Sequence, residues 1–281
     1  MQLKSTLYLV LALTIFIVST LSVQAYDRTI NFSGYDWNVK SGYNGPGPNY
    51  WNDSSDAVFT DLEGKLHMKI NNINNSWYSS EVYLPSSLGY GTYEFTLLTN
   101  PNQIDTNIVI APFLYQDDEH EIDIEYTNWR YEGADNINYT VQPYTFSGNT
   151  KTFPSPTSYS ESPIIARITW APEKIYFETL QDDRLIADWE YTGANNFQPG
   201  SERVHINFWM IKGIAPSDLN EQEAVIKSFN FTPYASENII IVPKDKEEKI
   251  KPDHKKKKKH QRKKSKHKKY YTKHYKFFSK P

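Results

Sequence analysis

The alternation of isoleucine and acid in one pentapeptide constrains the fold of this chain more than any other feature of the sequence. Glu121, Asp123 and Glu125 are separated by Ile122 and Ile124. A period of two is typical of a β-strand with one buried face, because successive side chains of a strand point to opposite sides. We therefore expect the isoleucines to enter a core and the three carboxylates to share the other face.

Three carboxylates on one strand face repel one another, so stability does not account for them. Clustered negative charge raises the pKa of at least one member, which suits chemistry that needs one carboxylate ionised and its neighbour protonated. Retaining hydrolysis of a glycosidic bond uses such a pair, with the two groups about 5–5.5 Å apart. Glu121 and Glu125 would then have to lean together on a bent strand, since their Cα atoms would be roughly 13 Å apart on a straight one. An ordinary solvated strand face, or part of a calcium site, is the alternative.

The rest of the chain predicts an all-β domain over residues 26–243. Strand-like segments recur between clusters of turn residues, and no segment shows a helical stripe. The clearest ones cover residues 65–70, 81–84, 92–98, 107–115, 121–126, 136–141, 164–170, 174–179, 204–210 and 224–231. Turn or loop chemistry is found at residues 42–48, 71–75, 89–91, 182–183 and 200–201. So many strands in one domain predict a two-sheet antiparallel β-sandwich.

Residues 1–25 have the composition of a secretory signal peptide. Lys4 supplies the positive charge, residues 7–18 are apolar, and residues 23–25 carry the small or aliphatic side chains of a cleavage site. An uncleaved anchor is the alternative, because the apolar stretch from Leu7 to Val23 is nearly long enough to span a membrane. We expect a secreted, extracellular protein. The chain has no cysteine, which excludes a thiol nucleophile and a cysteine-based metal site.

The formal net charge of −2 hides two oppositely charged regions. Residues 26–243 contain 12 Lys+Arg against 29 Asp+Glu, a net of −17, whereas residues 244–281 contain 18 against 4, a net of +14. Blocks of like charge are typical of disorder and bind the opposite charge. We expect the Lys/His-rich tail to hold anionic cell-envelope material or lipid head groups at the cell surface. No nucleic-acid partner is expected for a secreted chain, and we expect a monomer.

Aromatic residues make up 15% of the chain, and most of them must be core. Carbohydrate sites also use aromatic faces as stacking platforms for sugar rings. Trp51, Trp77, Trp129 and Trp209 lie beside loops or motifs and are candidates for that role. Core packing is the alternative for each of them.

Five segments, in order, resemble glycoside hydrolase family 16 over most of residues 35–233. EIDIE is similar to the family's central strand, which lines an open cleft. GPGPNYW (45–51) resembles its cleft-edge loop, and YSSEVYLPSSLGYGTYEF (78–95) resembles the strand pair ahead of the catalytic strand. VHINFW (204–209) resembles the strand whose Asn and Trp face the sugar, and FNFTP resembles the end of the last strand. The resemblance implies a concanavalin A-like jelly roll.

The resemblance also implies roles for individual residues. Glu121 would be the nucleophile and Glu125 the general acid and then the base, while Asp123 would tune which group holds the proton. The positions that match substrate-binding residues of the family are Asn49, Glu81, Tyr115 (or Phe113), Gln142, Asn207 and Trp209.

Two departures from the family pattern leave specificity for β-1,3-1,4-glucan open. Glu119 stands where glucan-cleaving members often have an aromatic residue, and Tyr83 stands where lichenases have a sugar-binding arginine. The chemistry requires no cofactor. A structural calcium, common in the family on the face away from the cleft, is also left open, because Asn230 stands where an Asp ligand is common.

These observations predict a secreted endo-acting β-glycanase that hydrolyses a polysaccharide by a retaining double displacement. A non-catalytic carbohydrate-binding protein on the same sandwich is one alternative. An envelope or matrix protein, in which the tail is the functional part, is another. A transglycosylase would use the same acids, and the sequence does not separate it from a hydrolase.

Overall fold

The computed structural model of the chain describes residues 28–155 and 162–235. The predicted signal peptide and the basic tail at residues 244–281 lie outside the described residues. No helix within the described ranges is long and apolar enough to cross a membrane. These ranges contain almost only β-strands, as the sequence predicts.

The strands in chain order are β1 (Thr29–Phe32), β2 (Tyr35–Val39), β3 (Gly42–Asn44), β4 (Asn49–Trp51), β5 (Val58–Thr60), β6 (Leu66–Ile73), β7 (Ser76–Tyr83), β8 (Gly91–Leu97), β9 (Ile108–Asp117), β10 (His120–Tyr126), β11 (Ile137–Val141), β12 (Thr150–Phe153), β13 (Ile164–Ala171), β14 (Lys174–Gln181), β15 (Arg184–Tyr191), β16 (Arg203–Met210) and β17 (Gln222–Pro233). Short 3₁₀ turns occur at Pro101–Gln103 and Ile211–Gly213.

The pairings arrange these strands in two layers. The first sheet has the order β1-β2-β7-β16-β9-β10-β11-β12. The second has the order β5-β6-β17-β8-β13-β14-β15. The β6–β7 hairpin belongs to both layers and joins them, and the short β3–β4 pair attaches to β7. All these pairings are antiparallel except β4–β7, so the predicted two-sheet sandwich is confirmed.

The core lies between the two sheets, and the alternation of the strands fills it. Ile122 and Ile124 of β10 are fully buried there with Phe95 of β8 and Phe177 of β14. Burying each such side chain contributes about 1.5–3 kcal/mol. Thr179, from the second sheet, places its hydroxyl 2.8–3.1 Å from two buried tyrosine hydroxyls of the first sheet. Polar atoms inside the core are therefore paired across the layers.

At two hairpin turns the backbone adopts positive φ angles, which explains why Asn and Asp occur there. Asn74 and Asn75 both have positive φ, at 51° and 66°, and Asp182 and Asp183 have φ of 52° and 57°. Two consecutive left-handed residues define a type I′ turn, which Asn and Asp tolerate. The predicted loop at residues 71–75 is longer than the observed one, because β6 continues to Ile73 in its pairing with β7.

The outer face of the first sheet is also apolar in part. A second buried cluster lies there, formed by Trp51, Val109, Ala111, Phe113, Trp209 and Ile211. Strand β9 is therefore buried on both of its faces over most of its length. An apolar outer face on one sheet of a sandwich indicates a covered or ligand-binding surface.

Candidate active site

A cleft of about 960 Å³ runs over the outer face of the first sheet. Strands β7, β16, β9, β10 and β11 form its floor. The register aligns Tyr83, His205, Phe113, Asp123 and Thr140 in one row across these five strands. Since neighbouring strands are about 4.8 Å apart, this row is roughly 19 Å long, which is room for several sugar rings.

The three acids of β10 lie together on the floor of the cleft. Glu121, Asp123 and Glu125 line it, while Ile122 and Ile124 point into the core. The register between β10 and β9 shifts just before Glu121. Such a β-bulge bends a strand and re-aims its side chains. The three acids thus lie on the strand face that the alternation predicts. They follow a β-bulge, which is a feature that can bend the strand as the sequence analysis required.

Burial is the main cause that raises the pKa of all three acids. It raises the pKa of Glu121 to about 7, with further contributions from the charges of Asp118 and Glu81. It raises the pKa of Glu125 to about 8, reinforced by the charge of Glu121. Asp123 has a pKa well above its usual value, because it is buried between both glutamates. At neutral pH the cluster therefore holds protons that ordinary carboxyl groups would have lost.

Hydrogen bonds indicate how the protons are shared. A bond between the side chains of Asp123 and Glu121 lowers the pKa of Glu121 and raises that of Asp123. The two side chains therefore share a proton between them. Gln142 Nε2 donates to Asp123 Oδ2 at 3.1 Å. The three acids thus form one coupled group in which ionised and protonated carboxyl groups lie side by side.

A different network lies on the opposite side of the floor, in β7 and β16. Glu81 is only 2% exposed, and its Oε2 lies 2.7 Å from Lys40 Nζ. Its Oε1 lies 2.9 Å from His205 Nδ1. Lys40 also donates to the Gly45 carbonyl and lies 4.2 Å from the centre of the Trp51 ring. The charge of this buried carboxylate is therefore compensated, unlike that of the acids on β10.

Two of the four candidate tryptophans lie on the cleft. Trp129 and Trp209 line it, with ring centres 6.4 Å apart, and Trp129 Nε1 donates to Asn138. Trp209 is 8% exposed, so most of its surface packs in the second buried cluster. Trp51 is buried beneath Lys40, and Trp77 packs against the main core. The core interpretation holds for these last two.

Most of the predicted substrate-binding residues come together in the cleft, and one does not. The cleft is lined by Glu81, Tyr115, Gln142, Asn207 and Trp209, and also by Phe113. Asn49 is completely buried and lies off the cleft surface. Its amide donates to the Pro46 and Met210 carbonyls and accepts from Ser79. Because both amide hydrogens and the amide oxygen are bonded inside the protein and the side chain has no exposed surface, we correct its role to that of a support for the loop at residues 45–48.

The sequence did not single out Lys40, Arg203 or His205, which also line the cleft. His205 could have been found, because it precedes Asn207 by two residues on the same strand face. Arg203 lies with its guanidinium carbon 4.7 Å from the centre of the Tyr83 ring. Arg203 thus places a positive charge next to Tyr83, the residue that stands where lichenases have a sugar-binding arginine. Lys40 gave no sequence signal, since its partner is 41 residues away.

The carboxylate nearest to Asn230 across the sheet is already paired. Asn230 pairs with Glu94 across the second sheet, and the carboxylate of Glu94 is bound by Arg167 at 2.8 Å. Ca²⁺ takes six to eight oxygen ligands, which include carboxylates, backbone carbonyls and water molecules. Within the described parts of the chain, no group of three or more His, Asp or Glu side chains is placed to hold a metal ion.

The sandwich and its carboxylate-lined cleft have the jelly-roll fold of the β-glucanases, so the resemblance to glycoside hydrolase family 16 is confirmed at the level of fold. The β-glucanase of Bacillus licheniformis superimposes with a TM-score of 0.56 at 17% identity, over 74% of this chain and 97% of that one. A β-1,3-1,4-glucanase (lichenase) from a mouse hindgut metagenome gives 0.55 at 18% identity, over 74% and 99%.

A third similar structure is Rv0315 of Mycobacterium tuberculosis, described as an immunostimulatory antigen and pseudo-β-1,3-glucanase. Its TM-score is 0.52 at 19% identity, over 71% of this chain and 91% of that one. No protein-family profile matches the chain, and no curated protein matches it. The fold is therefore shared with proteins whose sequences have diverged widely from this one.

Proposed function

We propose that the protein is an endo-acting β-glycanase that hydrolyses a polysaccharide with retention of anomeric configuration. The observation that carries this proposal is the cluster of three acids with raised pKa values on the floor of the cleft. Burial raises the pKa of Glu121 to about 7 and that of Glu125 to about 8, so that ionised and protonated carboxyl groups can coexist in the cluster near neutral pH. A retaining glycosidase needs one ionised nucleophile and one protonated acid.

In the first step the Glu121 carboxylate attacks the anomeric carbon. The bond from that carbon to the glycosidic oxygen breaks, and Glu125 gives its proton to the departing oxygen. A glycosyl ester of Glu121 is formed. In the second step Glu125, now ionised, takes a proton from water while the water oxygen attacks the anomeric carbon and releases Glu121. Asp123, whose side chain is hydrogen-bonded to Glu121, stabilises the carboxylate as it is regenerated.

The shape of the cleft and the fold comparison support a polymeric glucan as substrate. The floor crosses five strands, and the aromatic rings of Phe113, Tyr115, Trp129 and Trp209 line it together with the acids. Aromatic faces bind the apolar faces of sugar rings. The two glucanases named above act on β-glucans, one of them on β-1,3-1,4-linked chains. We include β-galactans among the candidates, because Tyr83 alters a position that binds sugar in lichenases.

The test is to incubate residues 26–243 with β-1,3-, β-1,4- and mixed-linkage glucans and with β-galactans, and to measure reducing ends. Glu121→Gln is the control, since it preserves shape and removes the nucleophile. NMR of the first product formed should show the β-anomer. Release of the α-anomer would contradict the retaining mechanism, and no reducing ends from any glycan would contradict hydrolysis.

A non-catalytic carbohydrate-binding role is the second candidate. The similarity to Rv0315, described as a pseudo-β-1,3-glucanase, favours it, because this fold does not always carry the activity. Binding of a glycan by the wild type without reducing ends, and with unchanged binding in Glu121→Gln, would establish this alternative.

We further propose that the protein is secreted and held at anionic envelope material by its tail. The signal-like residues 1–25 and the net charge of +14 over residues 244–281 support this. Deleting residues 244–281 should release the protein into the medium with its melting temperature and specific activity unchanged. Replacing all basic residues of the tail with glutamine is the matched control and should have the same effect. Attachment that survives molar salt would contradict an electrostatic mode of binding.

A further inference from the structure

Strand β16 carries two buried polar atoms that have no hydrogen-bond partner among the described residues. They are His205 Nε2 and Asn207 Oδ1. Both side chains line the cleft, with exposures of 5% and 3%. An unpaired buried polar atom is destabilising, because it has lost its hydrogen bonds to water, and such atoms are rare in native proteins. Unpaired atoms at the floor of a cleft therefore indicate a place where a ligand supplies the partner.

The hydrogen bond to Glu81 fixes the tautomer of His205. Burial alone would raise the pKa of Glu81, but the hydrogen bond from His205 and the charge of Lys40 outweigh it and hold the pKa below its usual range. Glu81 is therefore ionised and can only accept, so His205 Nδ1 carries the proton. Burial lowers the pKa of His205, which leaves the ring neutral with a single proton. The lone pair of Nε2 is consequently free to accept.

Aromatic side chains hold the imidazole ring in a fixed orientation. It stacks on Tyr83 with ring centres 5.2 Å apart and planes at 17°. Phe113 lies 4.8 Å away on the next strand, and Tyr115 meets the ring edge-on at 5.8 Å. The direction of the Nε2 lone pair is thus set before any ligand arrives, which reduces the entropy that binding would cost.

We infer that His205 is a specificity-determining residue whose Nε2 accepts a hydrogen bond from a hydroxyl group of the sugar bound beside Asn207. Glu81 and Lys40 are positioning residues that hold the ring in the accepting tautomer. The inference rests on the proposed function, because it assigns a subsite within the same cleft. It does not follow from the family resemblance, which matched Glu81 and Asn207 but not His205.

The two acceptors define the chemistry of the sugar at this subsite. His205 and Asn207 project from one face of β16 with Cα atoms about 7 Å apart. Both require donors. Hydroxyl groups of a neutral sugar supply them, whereas a carboxylate or sulfate substituent has no proton to donate at neutral pH. The subsite therefore selects an unsubstituted neutral sugar.

Two substitutions separate the roles of the two ring nitrogens. In His205→Asn the amide nitrogen can take the place of Nδ1 and donate to Glu81, but nothing replaces Nε2. In His205→Gln the longer side chain can bring a carbonyl oxygen to the place of Nε2, but the bond to Glu81 is lost. Both are made in the Glu121→Gln background, so that binding is measured without hydrolysis. The probes are the β-1,3- and β-1,4-linked glucose tetrasaccharides and their monodeoxy derivatives, titrated by calorimetry.

We expect His205→Asn to bind the tetrasaccharide roughly fivefold to tenfold more weakly, the scale of one hydrogen bond. The parent protein should bind one particular monodeoxy derivative more weakly than the unmodified tetrasaccharide, by a similar factor. His205→Asn should bind that derivative and the unmodified tetrasaccharide equally well. His205→Gln should keep part of the parent's preference for the unmodified tetrasaccharide. A long-range ¹H–¹⁵N spectrum should show an unprotonated Nε2 for His205, and Glu81→Gln should permit the other tautomer.

The outcomes distinguish this inference from the proposed function. If His205→Asn binds every derivative with the same pattern as its parent, the role of His205 is wrong, while hydrolysis by the wild type leaves the proposed function intact. A spectrum with a protonated Nε2 would also overturn it. If the wild type neither binds nor hydrolyses any β-glucan or β-galactan, the proposed function fails and the inference fails with it.

Discussion

Two groups of glutamates lie on the floor of the same cleft and have opposite electrostatic properties: Glu81 is buried, and Glu121 and Glu125 are partly buried. Glu81 on β7 has a pKa below its usual range, whereas Glu121 and Glu125 on β10 have pKa values raised to about 7 and about 8. Burial opposes ionisation in all three. The difference comes from the neighbours, since Glu81 has Lys40 and His205, whereas the neighbours of the β10 acids are mostly other acids.

This difference separates a carboxylate that supports structure from carboxylates that can do chemistry. A compensated carboxylate is fixed in one protonation state and holds its partners in place. Uncompensated ones remain close to their titration point at neutral pH, which general acid–base chemistry requires, and they cost stability for that reason. The following predictions test this separation, from the largest expected effect to the smallest.

The largest effect should be on turnover. Glu121→Gln and Glu125→Gln should each reduce kcat by about a thousandfold or more while the fold is retained, because general acid–base groups alone contribute about 10²–10⁴. Glu81→Gln should cost only about tenfold. The measurement is kcat on the polysaccharide identified by the reducing-end assay, with circular dichroism as the check on folding.

Azide provides a control on the role of Glu121. With an activated substrate, azide should restore turnover to Glu121→Ala and give a product of inverted configuration, because it attacks the anomeric carbon in place of the carboxylate. At Glu125→Ala any rescued product should retain its configuration. Equal losses of kcat in Glu81→Gln and Glu121→Gln would remove the distinction between the two groups of carboxylates.

The second effect should be on stability. Glu81→Ala leaves Lys40 and His205 without their shared partner, and breaking a buried ion pair costs about 3–5 kcal/mol. Urea unfolding at pH 7 measures the change. The control is Glu94→Ala, whose partner Arg167 is 25% exposed and also bound by Glu178, so that loss should be about 1 kcal/mol or less.

The pH dependence of the Glu81 contribution has a definite sign. A lowered pKa in the folded state means that the contribution is fully present above the unfolded value of about 4.3. It is lost as the pH falls through the lower folded value. The stability difference between wild type and Glu81→Ala should therefore shrink under acid. A difference that stays constant down to pH 2 would show that Glu81 acts through packing rather than charge.

The third effect concerns the two tryptophans beside the two groups of acids. Trp129 follows β10 and is only partly buried, whereas Trp209 lies on β16 and is 8% exposed. Each change to Ala should weaken glycan affinity by about 1–3 kcal/mol, as expected for the loss of an aromatic contact. Only Trp209→Ala should also lower stability substantially, because it leaves a cavity in the second cluster. Unchanged affinity for either variant would assign that ring to packing alone.

Sequence periodicity predicts which face of a strand each side chain occupies, but it does not predict contacts between residues that are distant in the sequence. It predicted that Ile122 and Ile124 would be buried and that the acids would face away from them, because a period of two depends only on the strand. It could not predict the link from Lys40 to Glu81, which are 41 residues apart, or from Glu81 to His205, which are 124 apart. Asn49 was misplaced for the same reason, since its amide partner at Met210 is distant in sequence.

The smallest effect should be a gain in stability on removing an uncompensated acid. The raised pKa of Glu125 means that the folded state holds a proton between the unfolded value of about 4.3 and the folded value of about 8. Wild-type stability therefore falls as the pH rises through that window. Glu125→Gln cannot ionise and avoids this loss, so it should be more stable than the wild type at pH 8.5 by about 1 kcal/mol or more.

A gain of that size corresponds to about 2–4 °C in melting temperature for a domain of this length. The difference should become small at pH 4, where Glu125 is protonated in the folded state and mostly protonated in the unfolded state. Glu119→Gln is the matched control for removing one acid from the same segment, since Glu119 is exposed and does not line the cleft, and it should give no comparable gain in stability at pH 8.5. If Glu125→Gln gains no stability between pH 4 and pH 8.5, then Glu125 is not held protonated by burial. Its place among the uncompensated acids, and with it the contrast with Glu81, would be wrong.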